Sequence, residues 1–135
     1  MSPSRILYAL AIVAGICGCG SSQSEAVRRG VGSECNANLK CTEKSQVCLT
    51  EFKGGYCGVA GCLHDADCPA GSACVTENGI NYCFLICVDK VDCNPNRTVD
   101  NESNCTSSID FVDGTMGRKV CNPPSSGTDF DAGTD

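Results

Sequence analysis

Twelve cysteines between Cys35 and Cys121 constrain this chain more than any other feature, because they fall into three consecutive blocks of four. In the first block Cys35, Cys41, Cys48 and Cys57 are separated by five, six and eight residues. In the second, Cys62, Cys68, Cys74 and Cys83 are separated by five, five and eight. The third opens alike, with five residues between Cys87 and Cys93, then stretches to eleven before Cys105 and fifteen before Cys121. Other side chains keep the register: Cys48-Leu49-Thr50-Glu51 matches Cys74-Val75-Thr76-Glu77, Tyr56-Cys57 matches Tyr82-Cys83, and Asp67-Cys68 matches Asp92-Cys93. Such agreement marks an internal duplication.

Fourteen cysteines in 135 residues point to an oxidising compartment and to covalent staples as the basis of the fold. The cysteine-rich region has no tryptophan, and its aromatic residues are Phe52, Tyr56, Tyr82, Phe84 and Phe111. So few large apolar groups are not expected to offset chain entropy unaided. A disulfide closing about 15 residues contributes about 3 kcal/mol in the chain-entropy account, and six such bonds would supply what the core lacks.

The expected fold is small and disulfide-rich: three tandem four-cysteine modules with short β-hairpins and little or no helix after the N-terminal segment. The modules are drawn at 35–61, 62–86 and 87–121, the last with extended loops. Block two carries the clearest hairpin signal, Val75-Thr76-Glu77, Asn78-Gly79, Ile80-Asn81-Tyr82, because both turn residues tolerate positive φ. A two-residue turn there sets Cys74 opposite Cys83 and permits a direct cross-strand bond. Four cysteines allow three pairings, and spacing does not choose among them.

The N-terminus specifies location. Arg5 precedes an apolar run of eleven residues, Ile6 to Ile16, too short to span a bilayer and fit for the core of a secretory signal. Ile16-Cys17-Gly18-Cys19, followed by Gly20-Ser21-Ser22, resembles the lipobox of bacterial lipoproteins. The resemblance implies cleavage before Cys19, diacylation of its thiol and acylation of the new amine. Cys17 would leave with the signal peptide, 1–18. With Cys17 removed and Cys19 acylated, twelve cysteines remain for disulfides, an even number. The alternative is an ordinary signal cut near Gly18 or Gly20. Multiple acyl chains anchor stably where one is marginal; Gly20 in place of aspartate implies, by analogy with enteric bacteria, an outer-membrane or cell-surface location. Residues 19–34 read as a lipidated tether and 122–135 as a disordered acidic tail.

The blocks also resemble the first part of an EGF-like module, which has similar spacings and a Tyr or Gly near the fourth cysteine. They depart after it, with four residues between Cys57 and Cys62 and three between Cys83 and Cys87, where the EGF pattern has a single residue. The resemblance implies bonds from first to third and second to fourth cysteine: Cys35–Cys48, Cys41–Cys57, Cys62–Cys74, Cys68–Cys83, Cys87–Cys105 and Cys93–Cys121. Lipobox, tether and repeated blocks together resemble the cysteine-rich lipoproteins of myxobacterium-type bacteria.

The formal charge is −6, and removal of Arg5 with the signal makes it −7. That balance excludes a basic nucleic-acid footprint and electrostatic docking on anionic lipid. Zinc sites favour two to four residues between ligand cysteines, and the recurrent spacing here is five, so no metal and no cofactor is expected. His64, the only histidine, lies beside Asp65 and Asp67. A general base with a carboxylate orienter is conceivable there, but an exposed surface histidine with turn-forming aspartates is the simpler account. Three sequons, at Asn96, Asn101 and Asn104, are incidental under the lipoprotein reading.

The function expected is that of a non-enzymatic, membrane-anchored extracytoplasmic protein, held in the bilayer through acylated Cys19. It would present stapled modules to a protein or glycan ligand or serve envelope structure. The alternative is a secreted protease-inhibitor-like or toxin-like effector, with Arg118-Lys119 as the modest specificity candidate. The recognition surface is sought first in block three, in the insertion 94–104 and the apolar loop 106–120 with Ile109, Phe111, Val112, Met116 and Val120, since long loops on a stapled scaffold carry recognition.

Overall fold

The computed structural model describes residues 23–126. The elements run α1 (Glu25–Arg28), β1 (Val47–Cys48), β2 (Cys57–Gly58), β3 (Ser72–Glu77), β4 (Ile80–Cys87), β5 (Asn104–Thr106), β6 (Asp110–Phe111) and β7 (Lys119–Asn122). Single 3-10 turns lie at Asp65–Asp67, Lys90–Cys93 and Val99–Asn101. Over the described residues the protein is small and disulfide-rich, almost without helix, and built of antiparallel strands with six disulfides in repeated blocks. Many disulfides of this kind belong to an oxidising, extracytoplasmic environment.

The β3–β4 hairpin is the centre of the molecule. Asn78 at φ 51° and Gly79 at φ 80° make its turn, with the left-handed pair that a primed two-residue turn requires. Cys74 and Cys83 are cross-strand partners, yet they bond Cys62 and Cys68. The same geometry recurs throughout. Cys48 faces Cys57 across β1–β2, and Cys105 faces Cys121 across β5–β7. In every block the first cysteine bonds the third and the second bonds the fourth, with Cα atoms 5.4–6.0 Å apart. Each hairpin therefore carries its leading loop strapped across one face by two disulfides. Block three keeps this scheme although fifteen residues separate Cys105 from Cys121. Its hairpin turn has grown into an excursion, and β6 within that excursion pairs with β3 of block two.

Blocks two and three thus share one five-stranded sheet in the order β5-β7-β4-β3-β6. Side chains alternate across a strand, and both faces of the central hairpin are covered. Cys74 and Cys83 point to the strapped loop, where they form a small buried cluster with Cys62. Ala73, Val75, Tyr82 and Phe84 point to the opposite face and enter the main core. There Phe52 and Tyr56 of block one meet Tyr82 and Phe84 of block two. Phe52 stands edge-on to Tyr82 and Phe84 at 5.1 and 5.5 Å, and Tyr82 stacks on Phe84 at 5.7 Å. Four of the five aromatic residues named from the sequence are spent in this one cluster, which joins two blocks rather than filling each separately. Gly55 is obligatory beside it: a Cβ there would strike Cys35 O, and φ is 69°.

Two segments differ from expectation. Residues 23–34, expected as part of a tether, are folded onto the body. Ser24 caps α1 by accepting from Val27 N, Ala26 N donates to Ala70 O at 2.8 Å, and Ala26 and Val31 are buried. Ser33 O accepts from Cys57 N, and Gly32 N donates to Cys57 O. One helical turn with two small apolar residues leaves no periodic signature, so only its contacts with Ala70 and Gly71 distinguish it from a linker. Residues 122–126, expected as the start of a disordered tail, run along block one instead. Lys53 N donates to Pro124 O and Ser126 N to Glu51 O. These bonds satisfy backbone groups beside Phe52, which the local composition of the tail could not anticipate. The expected signal peptide, 1–18, the expected lipidation site Cys19 and the rest of the expected tail, 127–135, lie outside the described residues.

Candidate binding surface

Block three was the expected seat of recognition, and both of its long segments are fastened to other parts of the molecule. The insertion 94–104 is organised by two side chains. Asn94 bridges its ends, accepting from Ser103 N at 2.7 Å and donating to Ser103 O and Lys90 O. Arg97 is buried and donates to four backbone carbonyls, Gly32 O, Gly55 O, Lys53 O and Asn101 O, at 2.7–3.0 Å. Its guanidinium also lies 5.9 Å from the Tyr56 ring centroid. A planar fork with five donors suits this multiple role, which an ammonium could not fill. One side chain thereby ties block three to block one and to the N-terminal segment. Nothing in the sequence distinguished Arg97 beyond its place in a sequon.

The loop after β6 closes over block two. His64 Nδ1 lies 2.9 Å from Asp113 Oδ1, and Asp113 Oδ2 accepts from Asp65 N at 2.7 Å. Asp65 in turn accepts from Cys74 N through Oδ1 and pairs with Arg118 through Oδ2 at 2.8 Å. The Arg118 guanidinium also sits 5.3 Å from the Phe111 ring centroid. The hydrogen bond to Asp113 and the charge of that carboxylate raise the His64 pKa above its usual 6.5. The bond with His64 and the one from Asp65 N hold Asp113 below the usual 3.8. His64 itself stays 69% exposed in its side chain. The histidine read from sequence is therefore a surface residue, and its carboxylate partner comes from block three rather than from its own loop.

Asp67 has the turn-forming role expected of it, whereas Asp65 reaches to Cys74 N and Arg118 instead; Asp92, its counterpart in block three, repeats the role of Asp67. Asp67 accepts from Leu63 N and His64 N, and Asp92 accepts from Val88 N and Asp89 N, all at 2.9–3.0 Å. Each closes a capping box on the 3-10 turn before the second cysteine. Those two backbone donors hold the Asp92 carboxyl below its ordinary pKa. Block one lacks this aspartate, and Asn36 closes its turn by accepting from Asn38 N and Leu39 N.

Of the apolar loop residues, Val120 is fully buried, Ile109 and Phe111 pack against the core, Val112 is marginally exposed, and Met116 is 72% exposed. Three sulfur triads, Cys35/Cys41/Cys57, Cys62/Cys68/Cys83 and Cys87/Cys93/Cys121, lie within 4.8 Å. Their sulfurs belong to neighbouring disulfides, and a disulfide offers no thiolate to a metal. What the loop 106–120 can offer chemically is a mostly polar relief with Met116 and Val112 as its exposed apolar points. No protein-family model, no curated protein and no solved structure matches the chain.

Proposed function

We propose that this protein is a non-enzymatic lipoprotein of the cell envelope, anchored through acylated Cys19 and presenting its stapled body to a protein or glycan ligand. The observation that carries the reading is the lipobox-like Ile16-Cys17-Gly18-Cys19 standing just before a chain with six disulfides. An oxidising compartment and a lipid attachment signal are two independent marks of the same destination. Removal of the leader with Cys17 leaves Cys19 as the one cysteine beyond the twelve in disulfides. The outer membrane or cell surface is the location proposed, and palmitate-type acyl chains the modification.

The relief of block three supports a binding role more than a protease-inhibitor role. An inhibitor of trypsin-like enzymes needs a basic side chain projecting freely from a rigid loop. Arg118 is engaged by Asp65 and Phe111 and its side chain is only 20% exposed, while Lys119 is exposed but fixed in β7 opposite Cys87 rather than projecting from a loop.

Intact-mass and peptide mass spectrometry of the protein from its native envelope tests the proposal. The expected N-terminal peptide begins at Cys19 and carries acyl groups. An unmodified N-terminus at Cys19 or beyond would overturn the anchored reading. Inhibition of trypsin by the mature chain would favour the secreted effector instead.

A further inference from the structure

The folding of residues 23–34 onto the body changes how the molecule would stand on a membrane. A free chain of sixteen residues, 19–34, would give a root-mean-square span of about 20–24 Å. With Gln23 already part of the folded body, four residue steps separate it from Cys19, and four steps reach about 14 Å at most. A body of about a hundred residues has a radius of gyration near 13 Å. A link of about 14 Å, roughly half the body's diameter or less, does not let it turn over.

The link enters at a definite place. Ala26 N bonds Ala70 O, and Ser24 lies against Gly71, both just before β3 begins. Gln23 shares a surface depression with Val27, Leu85, Cys93 and Pro95. This is the base of the β3–β4 hairpin, where Ser72 pairs with Leu85. The Asn78-Gly79 turn is at the other end, about 20 Å away along six strand residues. At the base, the turn after β4 carries Val88 and Val91, each 76% exposed, with exposed Pro95 beside them. Asp92, which also lines the depression, holds this turn in shape through its bonds to Val88 N and Asp89 N.

We infer that the base of the β3–β4 hairpin, with Val88, Val91 and Pro95, is a membrane-apposed face that rests on the bilayer holding the acyl chains of Cys19, so that the hairpin tip points away. The inference rests on the acylation proposed above. Its occupant is the lipid surface, argued from the length of chain between Cys19 and Gln23 and from where that chain joins the body. Apposition comes from the short link and the apolar tips. Asp89 and Asp92 lie on the same turn, so anionic lipid is not required. The ligand surface is then sought on the side away from the membrane.

The chain has no tryptophan, so single tryptophans report position directly. V88W, V91W and I80W are made in the mature chain and coupled through the Cys19 thiol to a maleimide phospholipid. The vesicles are of phosphatidylcholine, with and without bromine on the acyl chains. All three positions are exposed, and intact mass with near-ultraviolet circular dichroism checks that six disulfides and the fold persist. Apolar tips settle about 5–10 Å into the headgroup boundary, so Val88→Trp and Val91→Trp are expected to lose about half their emission to brominated lipid, and Ile80→Trp none. Equal quenching at all three positions, quenching strongest at Ile80→Trp, or no quenching at all would overturn the orientation. Because coupling is chemical, failure here is separate from failure of native acylation, which the envelope-protein mass reads and which would remove the occupant.

Discussion

Tyr56 and Tyr82 hold the same place in consecutive blocks, just before the fourth cysteine, and each places its hydroxyl in the other's block. Tyr56 OH accepts from Leu85 N of block two at 3.1 Å, and Tyr82 OH donates to Glu51 Oε1 of block one at 2.8 Å. Their rings share the aromatic cluster through Phe52 and Phe84. A duplicated residue has become a reciprocal cross-link, and burial pushes the Tyr56 hydroxyl far above its usual pKa, so it serves as a neutral hydrogen-bonding group.

The two tyrosines are expected to differ in cost when the hydroxyl is removed. Tyr56→Phe leaves a buried Leu85 N–H without its acceptor, a loss of about 1–3 kcal/mol. Tyr82→Phe frees a Glu51 carboxylate that can turn to water and costs less. Urea unfolding of both variants with disulfides intact, compared at equal m-values, measures the difference. A larger loss for Tyr82→Phe would contradict the reciprocal arrangement.

Arg97 should be intolerant of lysine. Its four carbonyl partners come from three separate segments, and an ammonium reaches at most part of that set. Arg97→Lys is expected to lose about 2–4 kcal/mol, with hydrogen exchange rising at 32–34 and 53–55 together. Exchange rising in block three alone would show that the clamp does not couple the segments.

The His64–Asp113 contact gives stability a definite pH window. His64 is raised from 6.5, so its contribution is complete below that value and is lost as pH rises through its folded pKa. Asp113 is lowered from 3.8, so its contribution is present above that value and is lost as pH falls through its folded pKa. The pair is therefore strongest between roughly pH 3.8 and 6.5. The stability difference between the wild type and His64→Gln should be greatest in that interval and shrink on either side. A difference that grows above pH 8 would refute the assignment. Both groups are largely solvated, so raised salt should narrow the difference as well.

Disulfides should rank by loop length. Cys93–Cys121 spans 28 residues and Cys62–Cys74 spans 12. In the chain-entropy account, double alanine variants lose about 3.6 and 2.8 kcal/mol respectively. Thermal or denaturant unfolding of the two double variants reads the order. The reverse order would mean that packing around buried Cys74 outweighs chain entropy.

Local chemistry was legible wherever a few neighbouring residues decide conformation. Asn78-Gly79 announced its turn, and the repeated Tyr-Cys, Asp-Cys and Cys-x-Thr-Glu positions announced the duplication. Asp67 was readable as a turn former because its backbone donors lie within four residues. Long-range relationships were not legible. Asp113 reaches His64 across 49 positions, and Arg97 reaches Gly32 across 65. No local pattern encodes either contact. The segments 23–34 and 122–126 were read by composition, and composition does not show that another part of the chain has unpaired backbone groups waiting for them.

By itself the sequence determined the compartment chemistry, the number of staples, the repeat and the central hairpin, since these follow from residue type, spacing and turn preference. The tertiary structure alone decided that three blocks become one body. That outcome depends on an aromatic cluster too small to divide among modules, and on a block-three excursion that finds the free edge of block two. It also depends on backbone groups in block one that are satisfied by the segments 23–34 and 122–126. The twelve cysteines hold each hairpin to its loop; the contacts between hairpins set which surfaces the protein presents.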